Sequence, residues 1–189
     1  MLRQLTSTLA FAVALTLPVL AQDSGNQNKN LDIHSSMGDL HVGSDADARK
    51  IGLPLYPGAR PKSDDTNNNQ ANLSLFTEAF GMKLVVAGYD SDDAPAKIID
   101  FYRDKLKKYG KVLECHSQKH GGGVDVHDND KDSKGNKELK CDEDSGPVTE
   151  LKVGTEDNQH VVAVEPRDGS KGSTFALVYV HTRGKQGEI

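Results

Sequence analysis

The sequence predicts an α+β fold: a mainly antiparallel sheet with one long amphipathic helix packed on one face, and an N-terminal β-hairpin. Three observations lead to it. Short apolar segments with strand-like alternation recur from Leu31 to His181, a single stretch after Asp93 carries helical periodicity, and no βαβ rhythm or internal repeat organises the chain.

Leu31 and Ile33 alternate with polar residues before Met37-Gly38-Asp39, as Leu40 and Val42 do after it, which reads as the hairpin. Pro57-Gly58 fits the centre of a type II turn, because Pro presets φ and Gly takes the positive value. Strands follow at Leu73 to Thr77 and Met82 to Tyr89, the second apolar on both faces and hence central. Asp92 or Asp93 is placed to cap the helix and Pro95 to occupy its first turn. Ile98, Phe101, Tyr102, Leu106 and Tyr109 recur at the spacing of one buried face, Lys105, Lys107 and Lys108 favour the C-terminal dipole, and Gly110 ends the run. Further strands are expected at 111–115, 138–141, Val148 to Val153, His160 to Val164 and Phe175 to His181. Gly169 to Thr174 lacks the Gly-Lys-[Ser/Thr] order of a phosphate loop and reads as a turn between two strands.

Residues 1–21 read as a signal peptide. Arg3 supplies the positive end, Leu9 to Leu20 the apolar run, and Val19 with Ala21 the small-residue cleavage pattern. About 12 apolar residues, interrupted by Thr16 and Pro18, fall short of the roughly 20 that span a bilayer. The reading therefore has no integral membrane segment after cleavage, a flexible leader over 22–30, one α+β domain over 31–182 and a frayed tail over 183–189. An exported location follows, periplasmic or secreted. Loss of Arg3 takes the formal charge from −5 to −6, which disfavours a nucleic-acid partner.

Cys115 and Cys141 are the two cysteines, and an oxidising compartment is expected to join them. Each lies two residues after a Leu, Leu113 and Leu139, so antiparallel pairing of 111–115 with 138–141 would set the sulfurs within reach.

The block Gly52-Leu-Pro-Leu-Tyr-Pro-Gly-Ala59, followed by Asp90-Ser-Asp-Asp-Ala-Pro, Asp100-Phe-Tyr-Arg-Asp-Lys-Leu, Tyr109-Gly-Lys-Val-Leu-Glu-Cys and Phe175-Ala-Leu-Val-Tyr, resembles a family of uncharacterised exported bacterial proteins. The likeness runs from about Leu31 to Val180. It implies export and a single domain, and brings no catalytic residue or cofactor.

Between the cysteines, His116, His120 and His127 share a segment with Asp125, Asp128, Asp130 and Asp132. Imidazole with carboxylate suits Zn or Cu, and Asp128, Asp130 and Asp132 match the first ligands of a calcium loop. Gly121-Gly122-Gly123 breaks any helix that would align the histidines, while Ser133 and Leu139 stand where the calcium loop needs Gly and Glu. A solvated acidic loop is the reading adopted, with periplasmic metal binding through 116–132 the alternative. Neither Gly-x-Ser-x-Gly nor His-Glu-x-x-His occurs. The sequence thus points to a non-catalytic binding or envelope-associated module without a cofactor, whose partner is a protein or an envelope component. An unrecognised hydrolase is the third reading.

Overall fold

A computed structural model describes residues 30–44, 46–62, 70–78, 80–118, 138–141, 145–167 and 171–184. The stretches expected to be a signal peptide and nearly all of a flexible leader, and the segment holding His120, Asp125, His127, Asp128, Asp130 and Asp132, lie outside the described residues.

Among the described residues the fold is mostly antiparallel β-sheet, with 55 % strand and 16 % helix, which corrects the α+β expectation and its long amphipathic helix. The strands are β1 (Leu31–Ser35), β2 (Gly38–Gly43), β3 (Arg60–Pro61), β4 (Gln70–Phe76), β5 (Phe80–Ser91), β6 (Leu113–Ser117), β7 (Val148–Thr155), β8 (Asn158–Pro166) and β9 (Ser173–Gly184). They form a nine-stranded sheet in the order β1-β2-β4-β5-β9-β8-β7-β6, with β3 added against one end of β5. Its spine is the pairing of β5 with β9, which holds register over all 12 residues of each strand, from Phe80 with Gly184 to Ser91 with Ser173. Strands this long escape a pattern reading because their ends, such as Asp90, Ser91 and Arg183, are polar.

Helix α1 (Ala48–Ile51) is a single turn. Asp47 caps it by accepting from the Lys50 N–H at 2.9 Å, and Gly52 ends it at φ 82°. One turn is too short to leave a periodic signature. Helix α2 (Pro95–Leu106) has 12 residues and tightens into a 3₁₀ turn over Lys107–Tyr109 before Gly110. Its N-cap is Ala94, not Asp92 or Asp93. The Asp93 carboxylate is engaged elsewhere, accepting from Lys97 Nζ at 2.6 Å and from the Tyr56 hydroxyl at 2.9 Å. These contacts hold it below the usual carboxylate range, with the Lys97 bond the larger cause. Pro95 at the start has no N–H to leave unsatisfied, so the helix begins without a side-chain cap.

Ile98, Tyr102 and Leu106, all fully buried, lie over β7 and β8, and each contributes roughly 1.5–3 kcal/mol by leaving water. Beside them, Ala46 to Tyr56 covers the sheet near β5 and β9 and supplies Ile51, Leu53 and Tyr56 to the same core. The Gly52–Ala59 block, α2 and β9 converge here. Tyr56 meets Phe101 edge-on at 5.2 Å, Phe101 meets Tyr102 at 5.0 Å, and Tyr102 meets Phe175 at 5.7 Å. The Tyr102 hydroxyl accepts the Tyr56 N–H at 3.1 Å, fixing the approach of the Leu53–Tyr56 strap to α2. Ala59 N–H returns to the Tyr56 carbonyl at 3.0 Å across Pro57-Gly58, where Gly58 has φ 75°, as a type II turn requires.

Cys115 and Cys141 form a disulfide with a Cα separation of 5.4 Å. The route differs from the expected one. β6 pairs with β7, and 138–141 is not a strand but makes one bridge, from Glu138 to Thr155. Cys141 lies against the outer edge of β6, with Sγ 3.6 Å from the Glu114 carbonyl oxygen.

Candidate interaction surface

Among the described residues helices touch the sheet at β5, β7, β8 and β9, so β1, β2 and β4 extend as a wing that no described helix covers. Facing residues of antiparallel strands share a sheet face, which makes the two surfaces of the wing readable from register. One face carries Leu31, Val42, Leu73 and Leu84 in one row and Ile33, Leu40, Leu75 and Met82 in the next. Leu31 is 54 % exposed, Ile33 47 % and Val42 40 %, while Leu40, Leu73, Leu75, Met82 and Leu84 are half-buried. The first row runs into Val180, which is buried in a small cluster with Val161 and Val178 against Leu84 and Val86, and the second runs into Thr182. An apolar surface that is continuous over β1, β2, β4 and β5 and open to water is a feature of recognition faces.

The helix side of the wing is polar. Asp32, His41, Ser74, Lys83, His181, Asn158 and Thr155 face one another in turn from β1 to β7. Asp32 accepts from His41 Nδ1 at 2.6 Å, and His34 stands 2.9 Å from Asp39. The Asp39 hydrogen bond raises the His34 pKa above its ordinary value. Lys83 lies over the Tyr179 ring at 5.8 Å. Further in, His160 is stacked between Tyr109 at 4.0 Å and Tyr179 at 4.8 Å, and burial lowers its pKa. It bonds to the Ile51 backbone and thereby ties α1 to the sheet, a structural role.

On the other face, beside the disulfide, lies a buried ionic cluster. Glu150 accepts from Ser117 Oγ at 2.7 Å and lies 3.3 Å from Lys152 Nζ, with 3 % and 1 % of the two charged side chains exposed. Each carboxylate oxygen thus has a partner, and the group acts as a polar tie inside the sheet. Thr-Glu-Leu-Lys-Val alternates as a strand with a solvated face would, so its burial is not visible in the sequence.

Of the proposed metal ligands, His116 is described. It sits on β6 opposite Thr149, on the reverse face from Cys115, whereas His120, His127, Asp128, Asp130 and Asp132 lie outside the described residues. Among the described residues no group of three metal-ligating side chains comes together. A shallow cleft of about 250 Å³ is lined by Arg103, Lys107, Gly110, Lys111, Val112 and Glu114. Arg103 is tied there to Glu114 at 2.7 Å and to Asp100, so the cleft presents an internal ion pair. No helix among the described residues is long and apolar enough to cross a membrane.

Compared with protein-family models, characterised proteins and solved structures, the chain matches none.

Proposed function

We propose that this chain is an exported, disulfide-tied binding module without a catalytic role, and that the apolar face of the β1-β2-β4 wing is where it receives a protein partner in the envelope or outside the cell. The observation that carries the reading is that uncovered face. Among the described residues nothing covers Leu31, Ile33 and Val42, which lie exposed beside half-buried Leu40, Leu73 and Leu75, and a contiguous exposed apolar patch is the mark of an interaction site. Export is supported by the Cys115–Cys141 bond, since such bonds persist in oxidising compartments, and by the leader pattern of residues 1–21. We also take the likeness of the Gly52–Ala59 and Phe101-Tyr102-Arg103 segments to the exported family as kinship in the core, because those residues pack on one another.

The test is site-specific photocrosslinking in the native envelope. A photoreactive residue at Val42 or Leu73 is expected to give a discrete adduct, and one at Asp104 on the outer side of α2 to give none. Leu73→Lys should abolish the Val42 adduct while leaving the unfolding free energy within about 1 kcal/mol of the parent, as for a partly exposed position. Equal adducts from all three positions, or none from the wing, would refute the reading. N-terminal sequencing of the exported protein should begin near Gln22.

A further inference from the structure

The two edges of the sheet are treated differently. At β6 the disulfide holds Cys141 against the Glu114 carbonyl, and Glu138 continues along the neighbouring strand at Thr155. At β1 all five residues are exposed, and among the described residues β2 is its single strand neighbour. Neither Lys nor Pro interrupts Leu31–Ser35 and its register with β2 is unbroken, so among the described residues Asp32 and the shortness of the strand are what blunt this edge.

We propose that β1 pairs antiparallel with β1 of a second copy of this chain, forming a symmetric dimer with Ile33 facing Ile33 across the two-fold axis. Backbone alternation selects the strand groups available. Ser35 and Gly38 flank a two-residue turn and, as residues so placed, exchange both backbone hydrogen bonds. Ile33 and Leu31 repeat that arrangement, so the N–H and C=O of Asp32 and His34 point away from β2 toward the open edge.

A second copy must meet those groups with its own Asp32 and His34. Three registers do so. Asp32 facing Asp32 sets carboxylates opposite one another, and His34 facing His34 sets imidazoles opposite one another and shortens the overlap. The third places each Asp32 against His34 of the other copy, Ile33 against Ile33 and Leu31 against Ser35, and pairs all five residues. The pairing of Asp with His is one the hairpin already uses, in Asp32 with His41 and His34 with Asp39. In the dimer each row across the junction then reads Asp39, His34, Asp32, His41, with acid and imidazole alternating. The sequence Leu-Asp-Ile-His-Ser is therefore self-complementary in one register and in conflict with itself in the others.

This contact uses the open edge of β1, joins the apolar faces of the two copies at Ile33 and needs no other protein. Five paired residues from each copy make a contact at the small end of specific interfaces, so a reversible dimer with Kd on the order of 10–100 μM is expected. Sedimentation of the purified chain should show monomer giving way to dimer, and Ile33→Lys, which sets two ammonium groups face to face, should leave monomer up to about 500 μM. Cysteine crosslinking reads the register independently of that variant's folding. Under mild oxidation Ile33→Cys should give a 33-to-33 disulfide, Leu31→Cys alone should give little, and Leu31→Cys mixed with Ser35→Cys should give the mixed dimer. Equal crosslinking of Leu31→Cys and Ile33→Cys, or a wild-type chain that stays monomeric at 500 μM, would overturn the proposal.

Discussion

Removing the disulfide is the perturbation whose magnitude follows most directly from the fold. Cys115 and Cys141 are 26 residues apart, and the chain-entropy model gives a loop of that length about 3.5 kcal/mol at 25 °C. The effect acts on the denatured chain, which gains freedom once the tie is gone. Cys115→Ala/Cys141→Ala should therefore lower the urea midpoint and raise the m-value, because a freer denatured state exposes more surface. For a chain of this size the melting temperature should fall by about 7–14 °C. Cys115 is buried, so the alanine pair also removes packing; wild-type protein kept reduced isolates the loss of the bond itself. A local signature should accompany the global one. Because Cys141 lies on the β6 edge, β6 amides should lose more exchange protection than those of β5 and β9. A difference below about 1 kcal/mol between oxidised and reduced wild type, or two free thiols in unreduced protein, would refute the entropic account.

Three further outcomes are expected. Tyr102→Phe leaves the buried Tyr56 N–H without its acceptor and should cost about 1–2 kcal/mol in chemical denaturation, with no change in the far-UV spectrum. His160, kept neutral by burial, makes folding weaker in acid: above pH about 6.5 both states are unprotonated, and below it the unfolded chain takes the proton first, so stability falls as pH falls. His160→Gln should flatten that slope between about pH 6.5 and 5, while the loss at lower pH from Asp47, Asp92 and Asp93, whose pKa values are lowered, should remain. Lys152→Met leaves the buried Glu150 carboxylate without its ammonium and should cost about 3–5 kcal/mol by calorimetry, whereas Glu150→Gln/Lys152→Met should recover most of it; equal losses would show that the charge pair is not what matters.

Much of the local structure was legible because it is written in near-neighbour patterns. The α2 face of Ile98, Tyr102 and Leu106, the stop at Gly110, the Pro57-Gly58 turn and the hairpin alternation from Leu31 to Val42 each need only a few consecutive residues to be specified. The proportions were not. Twelve-residue β5 and β9 extend into polar ends that only their partners hold in place, so the sheet outweighs the helix by more than periodicity suggests. Nor was the pairing along the β1 edge: Asp32, His34, Asp39 and His41 look like ordinary polar positions of a hairpin until register sets acid against imidazole.

Residue order was enough to set most of the segments that extend, that helical structure ends before Gly110 and that the two cysteines pair, since each depends on backbone preference or on there being no other choice. Tertiary structure alone decided that β6 pairs with β7 and not with 138–141, that Glu150 and Lys152 go inside, and that β1, β2 and β4 lie beyond the helices. The physical reason is shared. Those outcomes are settled by competition among residues distant in the chain for the same neighbours, and a strand records its own alternation but not the identity of the strand beside it.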